Sequence, residues 1–381
     1  MKRFFVLMLA LLMLLPGCTA SEPAATEPAI TMPPTTVATE PVTEPTEPVT
    51  EPVTEPVTEP TEPAPTEPEK VYNYRHPLNG RPLEEPFNQR VMAVVINNVV
   101  YALPQHGISK ADFIFELETE GGVTRQLAIF SELDKVTKIG PIRSARTYFN
   151  AIARSFDAPL AHCGSSYVAG QGYYNYFENR GSKWEHLDSH FAGKYFYRDK
   201  DRLNKGFATE HTLFTTGEKL LAAMDAKNFS KTYKNGLDFG FKFDDDILLD
   251  GELGEKITVT FNGGKKMNLT YDAGQGMYNA KQYNKNYIDG NTNEQVDFKN
   301  VIVLYASQKK IKSEYGNHSF YGLVGSGKGY FACNGRIVPI KWKHKSYSDP
   351  FTFLTEDGEP LTLGVGETYV AITSVKNLKY E

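Results

Sequence analysis

The chain has 381 residues, a formal net charge of −5, and 41 Lys+Arg against 46 Asp+Glu. That balance excludes the dense positive surface of a nucleic-acid binder. Its 3 cysteines show no Cys/His spacing that would hold zinc, and no motif asks for an organic cofactor, so neither metal nor cofactor is expected.

Lys2 and Arg3 precede an apolar run from Phe4 to Leu15. The run is too short to span a bilayer but suits the core of a signal peptide. It ends in "LPGC", a small residue directly before a cysteine. Residues 1–17 are expected to be cleaved, leaving Cys18 with a diacylglycerol on its sulfur. That lipid would anchor the protein to the outer face of the cell membrane. Between Thr19 and Lys70 stand 13 prolines and 11 glutamates with almost no large apolar residues. Such a segment cannot bury enough surface to fold, and its composition favours an extended polyproline II chain. At about 3.1 Å per residue it reaches roughly 160 Å, enough for a stalk through the wall layer of a Gram-positive cell. Residues 18–70 are therefore expected to be a disordered, lipid-anchored stalk. Eleven glutamates and one lysine give it −10, and Lys2 with Arg3 add +2, so residues 71–381 carry about +3. A mildly basic head is compatible with a polyanionic wall.

The rest is long enough for two domains. An α/β domain with a mixed sheet is expected over 71–235 and a mainly β domain over 240–381. The boundary falls near 232–244, where "KTYKNGLDFGFKFDDD" loses helical periodicity. In the first domain "VMAVVINN" (91–98) reads as a buried strand. "ADFIFELE" (111–118) alternates, with Phe113, Phe115 and Leu117 on one face. "QLAIFS" (126–131) and "APLAHC" (158–163) supply two more strands. Between them Ala145, Tyr148, Phe149, Ile152, Ala153 and Phe156 make the apolar stripe of a helix, with Arg146, Asn150 and Arg154 opposite. "TTGEKLLAAMDA" predicts a second helix, with Thr215 and Glu218 as a capping box. In the second domain "KITVTF", "KMNLTYD", "NVIVLYA", "GYFACNGRIVPIKW" and "TYVAIT" are strand-like, and "CNGR" predicts a two-residue Asn-Gly hairpin.

Four stretches carry candidate chemistry. "KIGPIRSAR" places Arg143 and Arg146 at a helix start behind Pro141, where the helix dipole favours an anion and disfavours cations. Either a carboxylate such as Glu118 or Glu120 compensates them, or an external anion does, since guanidinium binds carboxylate and phosphate bidentately. "ELETEGGVTRQ" puts Glu116, Glu118 and Glu120 on one strand face if the strand persists, with Arg125 past the turn. It reads as a solvated hairpin edge or as the wall of the same cleft. "LAHCGSS" ends a strand at His162 and Cys163. Neighbouring strand residues point to opposite faces, so His162 does not serve Cys163 as a base, and His162 is a candidate polar site residue on its own. "FYRDKDRLNKG" and "EHTLFTT" hold Arg198, Asp199, Arg202 and His211 in a mixed-charge loop. The pairing of Cys163 with Cys333 is left open.

These stretches in this order resemble the YerB-like family of bacterial lipoproteins. "HPLNGRPL", "VMAVVINN", "ALPQHGISKADFIFELETEGGVTRQLAIF" and "KIGPIRSAR" match its N-terminal hallmarks. "YRDKDR" and "EHTLFTT" match more loosely. "VGSGKGYFACNGRIVPIKW" and "EDGEPLTLGVGETYVAI" match its C-terminal β domain. The resemblance covers nearly all of 74–373. It implies a two-domain extracytoplasmic lipoprotein of unassigned biochemical function, with no catalytic residues to carry over. The chain departs from the pattern at Cys163, where a small residue is expected, at Glu210 (proline), at Thr212 (asparagine) and at Tyr369 (tryptophan).

The leading expectation is a membrane-tethered binding module whose Arg125, Arg143, Arg146, Glu118, Glu120 and His162 face an anionic envelope ligand, a wall polymer or a lipid phosphate. One alternative is an enzyme acting on envelope polymer, with Glu116, Glu118 or Glu120 as acid or base near His162. Another is a scaffold for an unidentified protein partner.

Overall fold

The computed structural model describes residues 72–165, 184–233, 238–261, 263–313, 316–347, 349–374 and 377–381. The signal peptide, Cys18, the stalk to residue 70 and Ser166 of "LAHCGSS" lie outside these residues.

The N-terminal region is α/β. It contributes β1 (Met92–Asn98), β2 (Phe113–Glu118), β3 (Thr124–Phe130), α1 (Thr147–Ser155), β4 (Leu160–His162), β5 (His186–Asp188) and α2 (Gly217–Ala226). The C-terminal region is mainly β. It contributes β6 (Glu252–Leu253), β7 (Lys256–Thr260), β8 (Lys266–Asp272), β9 (Met277–Gln282), β10 (Asn300–Tyr305), β11 (Gly325–Cys333), β12 (Arg336–His344), β13 (Thr352–Leu354), β14 (Thr368–Thr373) and β15 (Leu378–Tyr380).

Strands from both regions form one mixed sheet in the order β6-β12-β11-β10-β14-β2-β3-β1-β4-β5, with β13 beside β12. The seam between the regions is the parallel pairing of β14 with β2, Thr368 opposite Phe113 and Ile372 opposite Leu117. The central strands β1, β2, β3 and β14 are buried along their whole length because both faces of the sheet are covered. Phe113, Phe115 and Leu117 face one core with Phe149 and Ile152 of α1, Phe156 at its C-cap and Phe353 of β13. Ile114, Ala128 and Met92 face the other core. There α2 brings Leu220 and Met224, and a second sheet brings Val259, Leu269 and Tyr278. That second sheet includes β9-β8-β7-β15.

Local details refine the expected elements. α2 is capped by Thr216, whose hydroxyl accepts the Lys219 amide at 3.1 Å, rather than by Thr215. The Thr215 hydroxyl instead donates to the Tyr195 carbonyl at 2.7 Å. Asn334 and Gly335 sit at φ 49° and 73° between Cys333 and Arg336, the left-handed pair a tight hairpin requires. Strand β2 stops at Glu118, so Glu120 does not continue its face and opens a short helical turn, Glu120–Gly122. Gly122 of that turn, at φ 73°, lies against Gly263 of the β7–β8 loop. A Cβ on Gly263 would come within 1.8 Å of the Gly122 carbonyl oxygen, so the approach needs glycine. Cys163 and Cys333 are free thiols.

Candidate functional site

The segment before α1 lies across the ends of β1 and β4. The Arg143 amide donates to the Val95 carbonyl at 3.0 Å, and the Cys163 amide donates to the Arg143 carbonyl at 3.1 Å. The apolar stripe begins at Ala145, but the helix itself starts at Thr147, so Arg146 is its N-cap rather than part of its first turn. No side chain caps the helix, and no acidic residue lies in its first turn. Its opening amides, at Thr147 and Tyr148, have no acceptor within the helix.

Three guanidiniums gather here. Arg146 holds Glu120 through two nitrogens. Its Nε lies 2.9 and 3.0 Å from the two carboxylate oxygens and its Nη2 2.5 Å from Oε2. Glu120 also accepts from the Ser319 amide at 3.3 Å and lies 3.2 Å from His318 Nδ1. Burial alone would raise Glu120, but the hydrogen bonds and charge of Arg146, helped by Arg125, hold it down at about 2. Arg146 is therefore paired internally, and its carboxylate is saturated. Arg125 is 7% exposed and donates Nη1 to the Ser144 carbonyl at 2.6 Å. Burial, then the charges of Arg146 and Arg143, push its guanidinium down to about 9. Arg143 lies 4.0 Å from Glu210, a half-exposed carboxylate at the edge of pairing distance. The cluster thus holds three cations around one committed carboxylate.

The other candidates are dispersed. Glu118 shares the strand with Glu116, but its carboxylate accepts the Gly263 amide at 3.2 Å and does not meet an arginine. Glu116 is sealed between the two sheets. It accepts from Lys265 Nζ at 2.5 Å, Asn98 Nδ2 at 2.9 Å, Thr124 Oγ1 at 2.6 Å and the Tyr369 hydroxyl at 2.8 Å. A carboxylate with that partner set is structural, so the three glutamates do not form a shared acid–base wall. His162 is buried. Its ring approaches the Gly164 carbonyl at 2.8 Å and His186 at 3.1 Å. Burial pushes it down to about 4, against the opposing charge of Asp188, so it is neutral at neutral pH. Cys163 lines a separate small hollow with His190 and Tyr197.

The mixed-charge loop is more ordered than a solvated loop. Asp199 caps the short helix Lys200–Asn204. Buried Arg202 ties that helix to the β1–β2 connection, donating to the carbonyls of Ala102 at 2.9 Å and Pro104. His211 lies 3.0 Å from Asn97 and 3.6 Å from Glu210, so its loop stands beside Arg143.

Sequence reasoning did not foresee Asn150, whose side chain is buried in α1 although it sits on the helix face read as polar. It also missed His318, brought onto Glu120 by the hairpin after β10. A polar cleft with a cavity volume of about 640 Å³ was likewise not foreseen. It opens between the loops around Asp112 and Lys135 and those around Gln275 and Asp297. Arg81–Glu367 and Lys135–Glu132 ion pairs commit part of its charge.

Two family models match this chain in succession. Residues 78–230 match "Protein of unknown function (DUF3048) N-terminal domain", and residues 257–370 match its C-terminal domain. The chain belongs to the YerB-like family. A relative in Bacillus subtilis (strain 168), YerB, named as a candidate lipoprotein, is 27% identical over 318 residues, covering 80% of this chain and 88% of that protein. The crystal structure of Bacillus subtilis YerB superposes with a TM-score of 0.67 at 25% identity, covering 81% of this chain and 99% of the other. No helix among the described residues is long and apolar enough to cross a membrane.

Proposed function

We propose that this protein is a lipid-anchored surface lipoprotein whose head binds an anionic ligand of the cell envelope at the arginine cluster. The lipoprotein part rests on "LPGC" at Cys18 and on the name of the Bacillus relative. The ligand part rests on one observation. Arg125, Arg143 and Arg146 converge on a helix start where cations are disfavoured, and only Arg146 is fully paired, by Glu120. A phosphate or carboxylate beside Arg143 would relieve the repulsion between the guanidiniums and take up the free helix amides. A wall polymer phosphate or a lipid phosphate has this chemistry.

The test is thermal unfolding with millimolar phosphate at fixed ionic strength. Phosphate should raise the midpoint of the wild type in proportion to occupancy. Arg143→Ala should remove that rise while leaving the ligand-free midpoint nearly unchanged, because Arg143 is partly exposed and only loosely paired. A wild-type midpoint that does not move with phosphate counts against simple phosphate binding.

A further inference from the structure

The hairpin after β10 carries charge that the arginine site does not use. It pairs Gln308–Ser313 with Gly316–Tyr321, placing Lys310 opposite Ser319, Lys312 opposite Asn317 and Gln308 opposite Tyr321. Residues directly opposite on paired strands share a face. Two contacts show where this face points. The Tyr321 ring packs against Tyr148 in the first turn of α1, centroids 5.2 Å apart. The Ser319 hydroxyl donates to the Thr119 carbonyl at 3.3 Å, beside Glu120. Lys310 and Lys312 continue the same face outward. Both are exposed, and neither pairs with a carboxylate among the described residues. Glu314, between the two strands in sequence, lies outside those residues.

Two more cations on this face add to the repulsion around Arg125, Arg143 and Arg146. Lysine on an open strand also blocks edge-to-edge pairing, but glutamate would do that equally and would offset the arginines. Residues two apart on a strand are about 7 Å apart, so Lys310 and Lys312 form a row leading away from the helix start. Successive anions on a chain can occupy that row together, whereas a lone phosphate at the helix start leaves it unused. A bilayer surface fits less well. Arg125 and Arg146 are each 7% exposed, too recessed to meet a plane of headgroups. Among the described residues, no large exposed apolar side chain lies on the hairpin to enter a bilayer.

We infer that the hairpin extends the arginine site into a track for a linear polymer with repeating phosphates, one phosphate held at Arg143 and the helix start and following ones at Lys310 and Lys312. This deepens, and rests on, the reading of the arginine cluster as an anion site.

The experiment titrates the full chain calorimetrically with orthophosphate and with linear polyphosphate at fixed ionic strength. Per phosphate group, the wild type should bind polyphosphate roughly a hundredfold more tightly, as joining two contacts on one chain allows. Lys310→Gln/Lys312→Gln should cut polyphosphate affinity roughly tenfold and flatten its log–log dependence on salt by about one to two, with orthophosphate affinity kept within about twofold. Arg143→Ala should weaken both ligands. Lys341→Gln/Lys343→Gln removes the same charge from exposed positions on β12 and should leave both affinities within about twofold, because charges away from the site are screened. Ligand-free unfolding midpoints of both lysine variants should match the wild type, since such surface changes have little effect on stability. Equal binding of the two ligands per phosphate, polyphosphate affinity that survives in Lys310→Gln/Lys312→Gln, or an equal loss in the β12 variant overturns the track and leaves the anion site standing. Polyphosphate binding that needs the lysines but is unchanged in Arg143→Ala overturns the joining of the two. Short-chain phosphatidylglycerol below its micelle concentration serves as a third ligand, and tighter binding than polyphosphate per phosphate assigns a lipid headgroup and overturns the polymer. Binding of neither orthophosphate nor polyphosphate overturns the anion site and this inference with it.

Discussion

Lys265→Met should be among the most damaging single changes in this protein. Lys265 lies just before β8 in the second sheet and reaches Glu116 on β2 of the central sheet at 2.5 Å. The lysine side chain is 3% exposed and that of Glu116 0%. Burial pulls the lysine below its ordinary range, opposed by the charge and hydrogen bond of Glu116. Methionine preserves most of the volume and removes the charge, leaving the carboxylate with hydrogen bonds from Asn98, Thr124 and Tyr369 but no counter-charge. Breaking a buried pair from one side costs about 3–5 kcal/mol. A compact unit of roughly 310 residues unfolds with about 0.65 kcal/mol per kelvin of entropy, so the midpoint should fall by about 5–8 °C. Scanning calorimetry reads this directly. The double variant Glu116→Gln/Lys265→Met should recover at least half of the loss, because a neutral amide needs no counter-charge, its oxygen still accepts from Asn98 and Thr124, and its NH2 donates to the Tyr369 hydroxyl oxygen. A single variant within about 1 kcal/mol of the wild type would refute the reasoning, since it would mean that the carboxylate does not depend on the lysine.

Acid should destabilise the head in the window from about pH 6.5 to 4. Burial pushes His76, His106 and His162 down to about 4, so the unfolded chain takes up protons there that the folded protein refuses, and stability falls as pH falls. Asp112, pushed up to about 6 by desolvation, works in the opposite sense. Denaturant midpoints at several pH values should report a net uptake of about two protons on unfolding near pH 5; a flat profile would mean these histidines are not kept neutral. Gly263→Ala should destabilise by about 1–3 kcal/mol, because its Cβ would run into the Gly122 carbonyl and the loop must shift away from Glu118; a urea midpoint equal to wild type would show that the loop moves freely. Cys18→Ala should release the protein from membranes on fractionation, and full retention would count against a lipid anchor at that residue.

Several elements were legible in the sequence because their causes are local. β1, β2, α1 and the hairpin at Asn334–Gly335 follow from runs of apolar residues, from periodicity and from the backbone freedom of one dipeptide. Arg125, Arg143, Arg146 and Glu120 were each legible as charged groups near turns. The choice between Glu118 and Glu120 as the partner of Arg146 was not, because it depends on where β2 stops, and β2 stops where the Gly122–Gly263 approach takes over. The capping residue of α2 moved by one position because the Thr215 hydroxyl is spent on Tyr195.

By itself the amino-acid sequence determined the kinds of element, the α/β and then mainly β order of the regions, and the family, since these rest on residue patterns within short windows. Only the tertiary structure decided which groups meet. Glu116 reaches Lys265 and Tyr369 across 149 and 253 residues of chain. The two regions share one sheet through β14 and β2. Asn150 is buried on a helix face whose pattern reads as exposed. Burial and long-range pairing depend on what packs over a residue from elsewhere in the chain, and no local pattern carries that information.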